Sequence, residues 1–368
     1  MKIVNSGTFA FEESITKPAE LFPMYQVLNE EGEVTNPDLF PDVSDETLVE
    51  LMKTLVFGRT YDERVIILNR QGALGNYPPA GGQEASQLAT TFALEDGDFL
   101  VPTYRDMTPL LLRGLTIEQA FLWYKGHVKA NQYPESLTAF SPQVIVGGQM
   151  PHATGVALGK KLKNENNVVL AFVGDGGSSQ GDFYEGLNFA GVYKAPLITI
   201  LQNNGYGIST PTSLQTKAAT FAQKGVAAGI ASIKVDGMDP VAMYTAVKEA
   251  KKYAVENGPV LIESYTYRLG PHTMSDDPTR YRSDDEVNAW WKKDPLVRLR
   301  KYLEKKGLWN EELEQEAVED CKRRIKEAMV AIGKAEKQKI STFLENMYEV
   351  QPQNIKEQIA IYKQKEEN

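Results

Sequence analysis

Asp175, set among Gly174, Gly176 and Gly177, and the pair Asn203-Asn204 are the residues of this 368-residue chain whose types and spacing most directly suggest chemistry. Asp175 supplies a hard anionic oxygen and Asn204 an amide oxygen, while Gly176, Gly177 and Ser178 offer backbone N–H groups ahead of a helix. Protein oxygens combined with phosphate oxygens are the usual way of holding Mg²⁺, and N–H groups at a helix start hold the phosphate itself. These types at this spacing suit a metal diphosphate.

Two apolar runs must bring these residues together. Val168 to Val173 suits a strand buried on both faces of a parallel sheet, and it ends abruptly at Gly-Asp-Gly-Gly. From Phe183 to about Tyr193 the apolar positions take helical spacing, and Leu197 to Leu201 is a second apolar run. A helix of about eleven residues travels roughly 16 Å back, and a strand of about five returns nearly the same distance. A right-handed crossover then places Asp175 and Asn204 at the carboxyl ends of neighbouring parallel strands, where open α/β sheets bind ligands.

Other phosphate motifs do not fit. A G-x-G-x-x-G fingerprint would need glycine where Ser179 stands, and a P-loop counted from Gly176 would continue Lys-Ser/Thr where the chain has Asp182-Phe183. Gly-Asp-Gly alone is more often a turn, and Asn-Asn alone a polar loop. The strand context before both halves argues for the joint reading.

Gly-Asp-Gly followed by Asn-Asn, here with the 26 residues Gly177 to Gln202 between, is the thiamin diphosphate signature. Gly82-Gln83-Glu84-Ala85, Thr103-Tyr104-Arg105, Val144-Ile145-Val146-Gly147, and Tyr267-Arg268 with His272-Thr273-Met274-Ser275-Asp276 occur in the matching order. Over roughly residues 40 to 300 the chain resembles the α subunits of the thiamin-diphosphate-dependent 2-oxo acid dehydrogenases. The resemblance implies an α/β fold, mainly a parallel sheet flanked by helices, with thiamin diphosphate and Mg²⁺ as cofactors. It places Asp175, Asn204 and Tyr206 at the metal, and these with Gly176 and Gly177 at the cofactor. It has Tyr104 and Arg105 contact the terminal phosphate, Arg268 reach the diphosphate, and the Val144 carbonyl and Val146 N–H serve the pyrimidine. By the same resemblance, His272 is expected over the site in a loop that orders with cofactor, and His127 near the entrance. These two histidines are the catalytic candidates.

Each assignment has a plainer reading beside it. An arginine such as Arg105 at a strand end is as commonly a surface ion pair, and a histidine such as His127 after a helix is usually held by the helix dipole. Val144 to Val146 reads as core, and His152 as structural. Asp182 and Glu185, three apart on one helix face, normally answer the dipole at that end, and they also suit a polar passage toward a second active site. The loop near Pro78-Pro79 lacks the histidine that some relatives carry, and Thr273 stands where animal relatives have a regulatory phosphoserine.

The resemblance covers only the diphosphate-binding half of a thiamin site. It therefore implies a β subunit that supplies the activating glutamate, an α2β2 assembly, and transfer of the product group to the lipoyl domain of an acyltransferase component. The details of residues 270–282, similar to bacterial members, favour pyruvate as substrate; branched-chain 2-oxo acid and acetoin enzymes share the framework. A reading from another class is a noncatalytic α/β binding subunit, which predicts no magnesium-dependent cofactor binding.

Composition agrees with a metabolic protein. A net charge of −9 with scattered acids gives no nucleic-acid footprint, and the single cysteine, Cys321, excludes an intramolecular disulfide framework. No run of eighteen apolar residues suggests a membrane span, and the N-terminus has neither an h-region nor an Arg-rich transit pattern, so a cytoplasmic location is expected.

The expected organisation is an irregular arm over residues 1–43, broken by Pro18, Pro23, Pro37 and Pro41, then a cofactor-binding domain over 44–295 and a helical extension over 296–368. Ser44 caps a helix through Arg70, Gln83 opens one to about Leu94, Thr116 with Gln119 forms a capping box, and Asp239-Pro240 starts another helix. Leu313, Ala317, Cys321, Ile325, Met329 and Ile332 form one stripe of a long amphipathic helix, and Pro352 ends the helical pattern before a polar tail.

Overall fold

The apolar runs form the middle of a six-stranded sheet in a computed structural model that describes residues 20–367. Pro18, and with it the start of the arm, lies outside the described residues. The strands are β1 (Met24–Tyr25), β2 (Phe99–Val101), β3 (Val169–Gly174), β4 (Leu197–Asn203), β7 (Ala231–Asp236) and β8 (Val260–Tyr265), in the order β1-β7-β8-β4-β3-β2. All neighbours pair in parallel. A separate antiparallel ladder joins β5 (Tyr206–Gly207) to β6 (Thr210–Pro211).

Successive residues of β3 serve opposite layers. Leu170 and Phe172 join one core, while Val169, Ala171 and Val173 join the other, and all five are fully buried. A strand buried on both faces has no need of polar alternation, which is why the run is continuously apolar. Truncating Phe172 to alanine would cost about 3–5 kcal/mol.

The principal helices are α1 (Asp45–Arg70), α2 (Thr90–Phe92), α3 (Ile117–Tyr124), α4 (Gln149–Leu162), α5 (Gly181–Tyr193), α6 (Pro240–Asn257), α7 (Pro295–Lys305), α8 (Glu311–Gly333), α9 (Ile340–Glu345) and α10 (Gln353–Glu367). Their expected caps are present: Ser44 accepts from the Thr47 N–H, Thr116 and Gln119 form the capping box, and Asp239 accepts from the N–H groups of Val241 and Ala242. The Gln83-to-Leu94 helix differs from expectation, because Ala85–Ala89 is a π-helical stretch ahead of α2. Gly58 of α1 lies against Leu88 there, where a β-carbon would collide with the Leu88 side chain.

The described part of the arm, residues 20–43, is largely irregular, as expected, but one short strand in it joins the edge of the sheet. The Val27 and Leu28 N–H groups donate to Asp239 Oδ2 at 2.7 and 2.6 Å, and Met24–Tyr25 pairs with the outer edge of β7. In α8, Cys321, Ile325, Ala328 and Ile332 are buried in the core that includes α1 and α3. The segment after Pro352 corrects the expected tail: it is the helix α10, whose Ile355 and Ile359 cover Leu344 of α9 in a small separate cluster. Two apolar residues four apart suffice for a helical face there, and proline is tolerated at a helix start.

Candidate functional site

A cleft of about 560 Å³ opens at the carboxyl ends of the central strands, a size typical of small-molecule sites. Tyr104, Arg105, Val146, Asp175, Asn204 and His272 are among the residues lining it.

Asp175 enters the cleft because β3 ends one residue before it. The register pairs Gly174 with Gln202, so Asp175 and Asn204 emerge from adjacent strand ends, and the Asp175 N–H donates to the Gln202 carbonyl at 3.1 Å. Burial pushes the Asp175 carboxyl above its ordinary range, opposed by a 2.6 Å hydrogen bond that Gln215 Nε2 donates to Oδ2 and by attraction from Arg268. Gly176 begins a 3₁₀ turn, Gly176–Ser179, and a β-carbon on it would lie 3.3 Å from the Gly207 Cα. On Gly177 a β-carbon would meet Val173 Cγ2 at 2.8 Å, so only glycine fits that backbone. Asn204 is also buried; its Nδ2 donates to Gln83 Oε1 at 3.2 Å and its Oδ1 accepts from the Tyr206 N–H at 3.2 Å. Tyr206 lines the cleft with its hydroxyl engaged at Glu286 Oε2, 2.9 Å away.

Two cations are buried beside these groups. Arg105 donates to the carbonyls of Pro79 and His272 at 2.7 and 3.0 Å, and its Nη2 lies 3.1 Å from His272 Nδ1. The guanidinium carbon stands 5.5 Å from the centre of the Tyr104 ring. Arg268 is 1% exposed, donates to the Gly270 and Ile208 carbonyls at 2.9 and 3.3 Å, and leaves its Nε without a partner. Among the described residues no carboxylate forms an ion pair with either arginine, so the ion-pair reading of Arg105 gives way to a buried cation facing a cleft. Burial, then Arg105 and Arg268, push His272 down to about 4. An arginine can only donate, so Nδ1 accepts and the proton of the neutral ring sits on Nε2.

Val144, Ile145 and Val146 line the cleft and are 65%, 73% and 45% exposed, which corrects the reading of this triplet as core. They form a loop wall instead of a strand because the chain turns at Gly147, whose φ is +86°. His127 is not among the cleft-lining residues, although Trp123 four positions before it is; its Nδ1 accepts from the Lys129 N–H at 3.2 Å and its Nε2 lies 3.3 Å from the Glu336 carbonyl. That geometry ties α3 to the C-terminal segment. His152 is exposed against Phe140, and Asp182 and Glu185 are exposed on α5.

Sequence reasoning missed the amides beneath the site. Gln83 and Gln202 meet at 2.6 Å across 119 positions, and Gln215 reaches Asp175 across 40. The available signal was polarity: Gln202 is a polar residue directly after the apolar pair Ile200-Leu201 of a buried strand, and Asp106 follows Arg105 directly.

A family model described as "Dehydrogenase E1 component" matches residues 52–342. The chain is 56% identical over 347 residues to the pyruvate dehydrogenase E1 component subunit alpha of Staphylococcus aureus strain Mu50, covering 94% of each chain. It is 55% identical over 347 residues, again 94% of each chain, to the proteins of that name from Staphylococcus epidermidis and from Staphylococcus aureus strain MRSA252.

Proposed function

This chain belongs to the dehydrogenase E1 component family, and from that premise we propose that it is the α subunit of a pyruvate dehydrogenase first component, binding thiamin diphosphate with Mg²⁺. In this reading residues 1–43 are the arm, 44–295 the cofactor-binding domain and 296–368 the extension. The reaction is oxidative decarboxylation of pyruvate with reductive acetylation of a lipoyl group.

The observation that carries the proposal is the charge arrangement of the cleft. Asp175 is a buried carboxylate bonded to a neutral amide, and Arg105 and Arg268 are buried cations bonded to neutral acceptors. Buried charges left with neutral partners suit a ligand carrying both signs, and a metal diphosphate does. Asp175 Oδ, Asn204 Oδ1 and the Tyr206 backbone would hold Mg²⁺. Tyr104, Arg105 and Arg268 would hold phosphate oxygens, and the glycines at 176 and 177 would admit the diphosphate to the backbone. The exposed Val144–Val146 loop would offer its carbonyl and N–H to the pyrimidine.

Thiamin, when bound, supplies the carbon nucleophile and the electron sink for decarboxylation. The protein's part is to orient and to exclude water. His272, neutral with its proton on Nε2, is a hydrogen-bond donor at the cleft mouth for a substrate oxygen.

A β subunit completes the site and the assembly is α2β2. Exposed Val144 and Ile145 beside the cleft, and Tyr184, Phe189 and Val192 at 42%, 55% and 69% exposure on α5, support an apolar contact with another subunit. The lipoyl domain of the acyltransferase component is the acceptor. No helix among the described residues is long and apolar enough to cross a membrane, and the proposed location is cytoplasmic.

Co-expression with the β subunit and titration of thiamin diphosphate with and without Mg²⁺, following 2-oxo acid dependent reduction of an artificial electron acceptor, tests the proposal. The expected result is magnesium-dependent activity fastest with pyruvate. A faster rate with 2-oxoisovalerate or acetoin would reassign the substrate, and no magnesium-dependent binding would leave a noncatalytic binding subunit.

A further inference from the structure

A chain of buried amides runs from Asp106 to Asn204, and Gln83, Gln202 and Asn204 of it line the cleft. Asp106 is fully buried, which pushes its carboxyl above the ordinary range against the hydrogen bonds of Thr103 and Gln202 and the attraction of Arg105; as the carboxylate it can only accept hydrogen bonds. Its Oδ2 accepts from the Thr103 N–H at 2.8 Å and from Thr103 Oγ1 at 2.5 Å. Its Oδ1 accepts from Gln87 Nε2 at 2.9 Å and from Gln202 Nε2 at 2.8 Å.

Each contact fixes which end of the next amide faces it. With its NH₂ turned to Asp106, Gln202 has Oε1 facing the other way, where it accepts from Gln83 Nε2 at 2.6 Å and Gln87 Nε2 at 3.2 Å. Gln83 is left with Oε1, which accepts from Asn204 Nδ2 at 3.2 Å. Asn204 is left with Oδ1 on its remaining side, where the Tyr206 N–H donates at 3.2 Å. The Asp106 carboxylate at one end and the Tyr206 N–H, a donor only, at the other favour the same direction along the series.

We propose that Asp106 is a positioning residue that fixes the Asn204 amide through Gln202 and Gln83, so that Oδ1 and not Nδ2 is presented to Mg²⁺. This rests on the functional reading above. An amide whose NH₂ faced the cation would repel it, and nothing in the shape of asparagine alone chooses between the two orientations.

Asparagine at position 106 keeps its oxygen toward the Thr103 N–H, a donor only, and so turns an NH₂ toward Gln202, which opposes the direction of the series. The test uses the full chain assembled with its β subunit and measures the Mg²⁺ concentration that half-saturates thiamin diphosphate binding, read by tryptophan fluorescence. Asp106→Asn raises that concentration about tenfold or more, the usual effect of losing a group that orients a metal ligand. In an Asn204→Asp background, where position 204 presents oxygen in either orientation, Asp106→Asn leaves it unchanged or lowers it. An equal fold-loss in both backgrounds is a general structural effect and overturns the relay. Gln83→Met, which cuts the series beside Asn204 and leaves Asp106 in place, is the second variant and shows the same dependence on residue 204 if Asp106→Asn does not assemble. Absence of magnesium-dependent binding in the unsubstituted complex overturns the functional reading, and the relay with it.

Discussion

Gln215 donates a 2.6 Å hydrogen bond to Asp175 Oδ2, so the buried carboxylate at the end of the central strand is held by a neutral amide. Among the described residues Asp175 has no ion pair, and Arg268 attracts it only through space. A buried anion so placed costs stability until a cation joins it.

Asp175→Asn therefore separates two effects. The variant keeps or gains thermal stability without ligands, because it removes the desolvated charge. It also loses the stabilisation that Mg²⁺ and thiamin diphosphate give, about 2.7 kcal/mol for ligand at a hundredfold excess over Kd. Melting curves of the assembled complex, with and without both ligands, check this; a ligand-induced shift that survives in the variant contradicts it.

His272 makes stability depend on pH in a stated direction. Its folded value of about 4 lies below the ordinary 6.5, so the folded protein favours the neutral ring. That contribution is complete above pH 6.5 and is withdrawn as the pH falls from 6.5 to about 4. His272→Gln removes it, so on acidification across this window the melting temperature of the unsubstituted chain falls further than that of the variant. Parallel curves would place the histidine in solvent.

Gly147 turns the chain after Val146 with φ +86°, and a β-carbon there would come 2.7 Å from Gln180 Cβ. Gly147→Ala is expected to cost about 1–2 kcal/mol in backbone strain alone. It displaces the loop whose backbone faces the cleft, so half-saturation by thiamin diphosphate rises while circular dichroism stays unchanged. Unaltered binding would show that this loop does not contact the cofactor.

Removal of α10, by ending the chain before Pro352, deletes Ile355 and Ile359, which lie in a cluster apart from the main core. Burial of each isoleucine is worth about 1.5–3 kcal/mol, and that stabilisation is local to α9 and α10. The main unfolding transition and magnesium-dependent binding stay in place in calorimetry and titration. Loss of the main transition would join α10 to the central fold.

What the sequence determined by itself was whatever repeats over short distances. The apolar run Val168 to Val173, the caps at Ser44, Thr116 and Asp239, and the stripe through Cys321 and Ile325 were legible because strand and helix periods and end groups are local. The convergence of Asp175 with Asn204 was legible for a related reason: one strand, one helix and one crossover of fixed hand separate them. Tertiary structure decided the rest. It placed Met24–Tyr25 beside β7, exposed Val144 to Val146, turned His127 toward Glu336, and joined Gln83 to Gln202. None of these is encoded by a local period, because edge-strand pairing, exposure of an apolar loop and contact between distant amides depend on which surfaces the packed layers bring face to face.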